Sequence, residues 1–338
     1  RDLHCPARNN VRLYINQRNR AKCYKLPSLG GNATYDFQPS RTSRHSSTPC
    51  KLTFNVLQHQ SEDFKEIAEA NPALYVSLRN QFIPAMEYTY TYDNASGRRI
   101  KNPIWWQSTV TSAGNITSLI YRAFGKPFNE EDKSLLGAPF AQFVKLNTEL
   151  RHLWNIDKNN AIASRMAVGA LFTYGNATIA PYSEQFYVGG ANSIRAFTVR
   201  SVGPGGYHPE EGKYSYLDQT GAFRFEANVE YRFRIFKSFW GATFLDAGNV
   251  WLLRKDRKLL ADGKEARPNS QLRLKTFPKQ IALGTGVGIR YDMDILVFRL
   301  DFGIPLHLPY DTERSGYYNV TGAFFKNLGQ HFPIRYPF

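Results

Sequence analysis

Along much of the chain apolar and polar residues alternate at period two, the spacing of a β-strand with one face on each solvent. Residues 222–235 show it most clearly. Phe223, Phe225, Ala227, Val229, Tyr231, Phe233 and Ile235 make one face, and Ala222, Arg224, Glu226, Asn228, Glu230, Arg232 and Arg234 the other. In residues 281–291, Ile281, Leu283, Thr285, Val287, Ile289 and Tyr291 oppose Ala282, Gly284, Gly286, Gly288 and Arg290. Residues 296–304 repeat the pattern, with Leu296, Phe298, Leu300, Phe302 and Ile304 against Val297, Arg299, Asp301 and Gly303. Residues 144–154 and 166–174 alternate in the same way.

A soluble sandwich also alternates, so length and the chemistry of the polar face must decide. These runs extend for about ten residues or more, the length that crosses a bilayer at a tilt, where soluble strands average about five or six. Their polar faces carry both charge signs and many glycines, as a water-filled or plugged lumen requires. Trp105, Trp106, Trp154, Trp240, Trp251 and Tyr291 fall towards strand ends and are predicted to form interfacial girdles. The expectation is an all-β, transmembrane antiparallel β-barrel.

The N-terminal third is less regular. Residues 32–38 and 51–56 read as strands separated by a polar stretch at 39–49. Residues 61–70 read as a short helix capped by Ser61, with Glu62 and Asp63 in its first turn and a stop at Asn71-Pro72. Residues 82–92 return to strand, with Met86, Tyr88, Tyr90 and Tyr92 on one face. Residues 203–206 and 209–212, rich in Gly and Pro, read as loop. Roughly nine or ten strands are legible this way.

With 42% hydrophobic and 21% charged residues, the 338-residue chain is not disordered or collagen-like. It contains no apolar run long enough for a membrane helix, and a barrel needs none. The formal net charge of +15 raises nucleic acid as a partner. However, Arg224, Arg232 and Arg234 alternate with apolar residues, which places basic groups on lumen faces and argues against a nucleic-acid stripe. Cys5, Cys23 and Cys50 lack metal-ligand spacing, and one disulfide is at most possible. The chain opens on Arg1-Asp2-Leu3-His4-Cys5, in which no targeting signal is read. The sequons at Asn32, Asn94, Asn115, Asn176 and Asn319 are read as chance in a chain rich in Asn, Ser and Thr.

No catalytic constellation is present: the seven His are scattered, and no nucleophile elbow, Walker or dinucleotide pattern occurs in the right context. Gly284-Thr285-Gly286-Val287-Gly288 lies inside a strand, where glycines make room for something packed in the lumen. The chain is expected to be no enzyme and to use no cofactor or metal.

A candidate for the packed element is Phe186-Tyr187-Val188-Gly189-Gly190-Ala191-Asn192-Ser193-Ile194-Arg195-Ala196-Phe197, followed by Arg200 and Gly203-Pro204-Gly205. Here the sequence resembles the BamA/TamA superfamily of outer-membrane assembly barrels. Further motifs follow in that family's order: residues 228–233 (Asn-Val-Glu-Tyr-Arg-Phe), 244–251 (Phe-Leu-Asp-Ala-Gly-Asn-Val-Trp), 286–290 (Gly-Val-Gly-Ile-Arg) and 298–306, with a terminal Phe338. The resemblance is strongest from about Asn159 onward, and the Pro181-Tyr182 to Arg195 stretch looks most like the TamA-like lipoprotein (TamL) branch.

The resemblance implies residues 1–338 as one outer-membrane barrel domain of a family with about 16 strands, short of the first of them, without periplasmic POTRA repeats. It implies a sixth extracellular loop folded inward, with Ile194, Arg195, Ala196 and Phe197 as the lumen-loop tetrad and Glu230 and Asp246 as the arginine's acceptors. Ala196 stands where the family has glycine. Tyr336 and Phe338 would belong to the seam strand, which Pro333 and Pro337 interrupt. The implied function is non-enzymatic translocation and assembly in the outer membrane of a Gram-negative bacterium. Proteins or lipids would be delivered through a weak lateral seam, with outer-membrane lipids, a TamB-like periplasmic protein and client outer-membrane proteins as partners. The alternatives are a central BamA-type insertase, a two-partner secretion transporter, or a passive porin.

Overall fold

The computed structural model describes residues 7–20, 24–58, 61–62, 65, 76–95, 100–128, 133–135, 137–209, 217–254, 265–293, 296–312, 314, 317–320 and 329–331. Its strands are β1 (Ala7–Arg20), β2 (Tyr24–Phe37), β3 (Ser43–Asn55), β4 (Gln81–Asp93), β5 (Ile104–Ala113), β6 (Ser134–Leu135), β7 (Ala138–Pro139), β8 (Phe143–Asn155), β9 (Asn160–Thr173), β10 (Phe223–Phe236), β11 (Phe239–Trp251), β12 (Ala282–Asp292), β13 (Val297–His307) and β14 (Gly329–His331), with a helix α1 (Asn115–Ala123). Apart from the small β6–β7 hairpin, the described strands form one sheet of twelve in the order β1-β2-β3-β4-β5-β8-β9-β10-β11-β12-β13-β14. Every pairing in it is antiparallel between neighbours along the chain.

Two faces of opposite chemistry follow from the alternation. On β10, Glu226, Asn228, Glu230 and Arg232 are buried while Val229, Tyr231 and Phe233 are exposed. Leu245 of β11 and Val287 and Ile289 of β12 continue the exposed apolar face, with Val287 60% exposed. A band of this extent is not left in water; it meets lipid. At about 3.3 Å per residue and a tilt of about 40°, strands of ten to fourteen residues span the roughly 25 Å apolar layer. No helix among the described residues is long and apolar enough to cross a membrane.

The connections also differ between the two ends of the sheet. Residues 38–42, 94–103, 156–159, 237–238 and 293–296 link strands at one end, and residues 56–80, 114–142, 174–222 and 252–281 link them at the other. Outer-membrane barrels keep short turns on the periplasmic side and long loops outside, so in such a barrel the long-loop end would be the extracellular one.

Wall glycines are covered by aromatic rings. The Tyr14 ring lies over Gly30 and its hydroxyl shares a 2.9 Å hydrogen bond with Thr53 two strands away, while Phe233 covers Gly241. Ring-over-glycine contacts of this kind cover backbone that would otherwise face solvent and help to fix register.

The structure departs from the simple alternation at several places. Residues 43–49 are strand rather than part of a polar spacer, because β3 absorbs Pro49-Cys50 in an irregularity between Thr48 and Lys51 opposite β4. Strands β1 and β5 are additions to the strands that the pattern picks out. At Ser61 a helical turn is present, with the Lys65 N–H donating to the Ser61 carbonyl at 3.1 Å, and most of the rest of residues 61–70 lies outside the described residues. Trp106, Trp154 and Tyr291 face outward as a girdle would. Trp251 does not: it is fully buried, stacked on Phe277 at 4.9 Å, and its Nε1 donates to Gln280 Oε1 at 2.9 Å. Trp105 lies under the Arg151 guanidinium at 4.5 Å, on the inward side of β5. The side chains of four sequon asparagines make hydrogen bonds, three of them through the amide and Asn94 through its Oδ1. Asn176, for example, donates to the Phe140 carbonyl at 2.6 Å and accepts from the Gln142 N–H at 3.0 Å, and Asn94, Asn115 and Asn319 are likewise bonded. Cys50 is an exposed free thiol, and Cys5 and Cys23 lie outside the described residues.

Candidate functional site: an inward loop held by arginine–carboxylate pairs

The described residues of 174–222 leave β9 at the long-loop end and turn into the space behind β10–β13. Their central segment is closed on itself. The Gly190 N–H donates to the Phe197 carbonyl at 2.7 Å, the Arg200 N–H to the Val188 carbonyl at 2.9 Å, and the Gly189 N–H to Ser193 Oγ at 3.0 Å. Gly189 and Gly190 take φ values of +99° and +93°, which side chains other than glycine rarely adopt. The tip so formed carries Ile194, Arg195, Ala196 and Phe197, all buried.

Arg195 is 1% exposed and its charge is met from three strands, Asp246 of β11, Glu230 of β10 and Asp301 of β13, whose Oδ2 is 3.9 Å from Nη1. Its main-chain N–H and Nε donate to Asp246 Oδ2 at 3.0 and 2.8 Å, and Nη2 donates to Asp246 Oδ1 at 2.8 Å. Nη1 donates to Glu230. The planar guanidinium lies 3.5 Å from the centre of the Phe244 ring. Fork geometry and ring stacking together suit arginine and not lysine.

The pairs continue into a closed circuit. Glu230 on β10 also accepts from Arg290 of β12 at 3.0 Å and from Arg232 at 2.7 Å. Arg290 reaches Asp301 of β13 at 2.6 Å, and Asp301 pairs with Arg299 at 3.0 Å. Arg299 returns to the loop, donating to the Ala191 carbonyl at 2.6 Å and to Asn192 Oδ1 at 3.2 Å. Asn228 adds bonds to the Ser193 carbonyl at 2.8 Å and to Asp246 at 2.9 Å. Among the described residues the cluster sets Arg195, Arg232, Arg290 and Arg299 against Glu230, Asp246 and Asp301.

Register explains why these groups meet. Glu230, Phe244, Gly286 and Gly303 stand opposite one another across four strands, and Asn228, Asp246 and Gly284 form the next row. On β12 and β13 the rows are reduced to glycine where the loop arrives. A Cβ on Gly303 would stand 2.7 Å from the Arg195 carbonyl oxygen, and one on Gly284 would strike the Ala196 Cβ. The methyl of Ala196 therefore occupies the space left by Gly284. Farther along, Asn249 fixes Gly205, donating to its carbonyl at 2.8 Å, while the Gly205 N–H donates to the Val250 carbonyl at 2.7 Å.

Thus the tetrad, Glu230 and Asp246 are brought together, whereas Tyr336 and Phe338 lie outside the described residues. Phe244, Asn228, Arg290, Arg299 and Asp301 join the site although the sequence alone gives them no role in it. Their inward parity is the available signal. A neighbouring cluster, Arg165 with Glu226 at 2.9 Å and Glu149 at 3.1 Å, joins the first through a 3.0 Å bond to Asn228. Among the described residues no group of His, Cys, Asp and Glu is disposed to hold a metal ion.

The Omp85 superfamily domain model matches residues 4–332 of the chain. Among solved structures the chain is similar to BamA from Haemophilus ducreyi lacking POTRA domains 1–3, with 13% identity and a TM-score of 0.59 over 97% of this chain and 57% of that one. It is also similar to CdiB from Escherichia coli, at 13% identity and a TM-score of 0.47, covering 97% of this chain and 49% of that one. The chain spans less than two thirds of the length of either protein. With residues 4–332 inside one domain model, the chain belongs to the Omp85 superfamily of Gram-negative outer-membrane β-barrels.

Proposed function

We propose that this barrel is a non-enzymatic assembly factor that inserts or delivers proteins or lipids into the outer membrane, with the inward loop acting as a latch on the wall. The carrying observation is Arg195, a buried cation on a loop, held by Asp246 and Glu230 against a wall cut back to glycine. A passive pore has no need to plug its own lumen with a charge-locked loop. A client strand would enter by pairing with a sheet edge opened at a weak seam. The latch would hold β10–β13 as one stiff unit while the seam yields. A TamB-like periplasmic protein and membership of the TamL branch are parts of this proposal that the Pro181-to-Arg195 stretch suggests.

The test is complementation of a strain lacking the gene. Arg195→Ala should lose most outer-membrane assembly activity while the protein still reaches the membrane, and Arg195→Lys should restore little of it. Full assembly with unchanged barrel stability in Arg195→Ala would refute the latch. Steady single-channel conductance in planar bilayers, together with no assembly defect, would favour the porin reading instead.

A further inference from the structure

Helix α1 starts two residues after β5 ends and carries an apolar stripe that the described residues do not cover. Ile116, Leu119, Ile120 and Phe124 recur at helical spacing and are 53%, 58%, 51% and 82% exposed. The helix is nevertheless fixed to the barrel by its other side. Gly114, at φ +69°, donates its N–H to the Pro84 carbonyl at 2.8 Å and sits where a Cβ would be 2.6 Å from the Ala141 carbonyl oxygen. Ser118 is fully buried, and the Tyr121 ring packs edge-on to buried Phe140 at 5.9 Å. The stripe therefore points away from the barrel and cannot fold back onto it.

Which way it points follows from Asn115, whose side chain donates to Ser112 Oγ at 2.8 Å. Ser112 has the same parity on β5 as Trp106 and Val110, which are exposed on the lipid-facing side. The helix thus leaves the wall on its lipid face, at the long-loop end, in continuity with the apolar band. Arg122 sits in its last turn and Lys126 follows with its ammonium 5.4 Å from the Tyr121 ring centre, so cations border the stripe.

We infer that α1 is a membrane-surface helix that seats Ile116, Leu119, Ile120 and Phe124 in the acyl–headgroup boundary of the outer leaflet. Arg122 and Lys126 then lie at the level of the lipid phosphates. An amphipathic helix with flanking cations lies in the interface plane in this way. Anchored so, α1 fixes the height and tilt of the β4–β8 side of the barrel in the membrane.

The full chain, with Cys5, Cys23 and Cys50 changed to Ser and Leu119→Cys carrying a nitroxide, is reconstituted in phosphatidylethanolamine–phosphatidylglycerol vesicles. Collision with oxygen, which concentrates in the bilayer, is compared with collision with a water-soluble nickel chelate. Labels at Val110→Cys and Lys158→Cys serve as lipid-face and turn references, and heat-modifiable migration confirms a folded barrel. At Leu119 oxygen accessibility should exceed nickel accessibility several-fold, as at Val110. A nickel-dominated response like that of Lys158 would overturn the inference in favour of water. Shielding from both reagents would overturn it in favour of a protein partner or a second copy.

Discussion

Asp246 accepts three hydrogen bonds from one residue, Arg195: from its main-chain N–H at 3.0 Å, Nε at 2.8 Å and Nη2 at 2.8 Å. Loop backbone and loop charge are therefore clamped by the same carboxylate. Asp246→Asn keeps the shape but turns one oxygen into an amide donor facing a donor. Removing one partner of a buried pair costs about 3–5 kcal/mol, because the other charge stays buried. Urea unfolding in lipid vesicles should register a loss of that order. Glu230→Gln should cost at least as much, since Arg195, Arg232 and Arg290 all rely on Glu230.

The glycines of β12 and β13 make a second, steric prediction. Gly303→Ala would press a methyl against the Arg195 carbonyl and the Ala196 N–H, with backbone on both sides and no flexible group to give way. Overpacking of this kind costs about 1–3 kcal/mol. It should expel the loop, which limited proteolysis within residues 186–206 would report. Ala196→Gly acts in the opposite sense and leaves a hole over Gly284, with a loss of about 1 kcal/mol. A loop as protected in Gly303→Ala as in the parent would contradict the packing described.

Much of this is legible in the sequence, for physical reasons. Alternation over ten or more residues exposes the lipid face directly, and the Ile194-Arg195-Ala196-Phe197 tip is marked by an arginine in an apolar setting that two glycines precede. The closure through Arg290, Asp301 and Arg299 is not legible. Inward charges look alike until register decides which meet, and Glu230 reaches Arg290 across the β11 strand between them. Trp251 defeats the girdle reading because strand-end position says nothing of what a loop covers. It shares the parity of exposed Leu245 on β11, and Phe277, from the connection that follows, stacks on its ring and helps to bury it. Strand β1 is hard to see because Val11, Leu13 and Ile15 are its only alternating apolar residues, in a run otherwise rich in Arg and Asn.

Tyr14 offers a prediction at the other side of the sheet. Its ring covers Gly30 and its hydroxyl reaches Thr53, so one side chain ties β1 to β2 and β3. Tyr14→Ala should cost about 1–2 kcal/mol from lost ring packing and a lost hydrogen bond. Amide exchange should rise along β1 and β2 while β10–β13 stay protected. Tyr14→Phe should restore most of the protection, since the ring does the covering.

The β8–β9 turn predicts a pH dependence confined to one end of the barrel. Asp157 accepts from Asn160 Nδ2 at 2.9 and 3.1 Å and from the Asn159 N–H at 2.7 Å, and these bonds hold its carboxyl below the ordinary carboxylate range. A depressed folded-state value means that the carboxylate form is the one stabilised. Its contribution is fully present above the unfolded value of about 3.9 and is lost as pH falls through the lower folded value. The group is fully exposed, so the effect is local. Lowering pH through that window should reduce the protection of the Asn159 and Asn160 amides relative to their intrinsic exchange rates at each pH, and leave the buried Arg195 cluster untouched. Asp157→Asn should show the reduced protection already at neutral pH, with a protection factor that no longer changes through the window; an unchanged pH dependence of protection in that variant would assign it to another group.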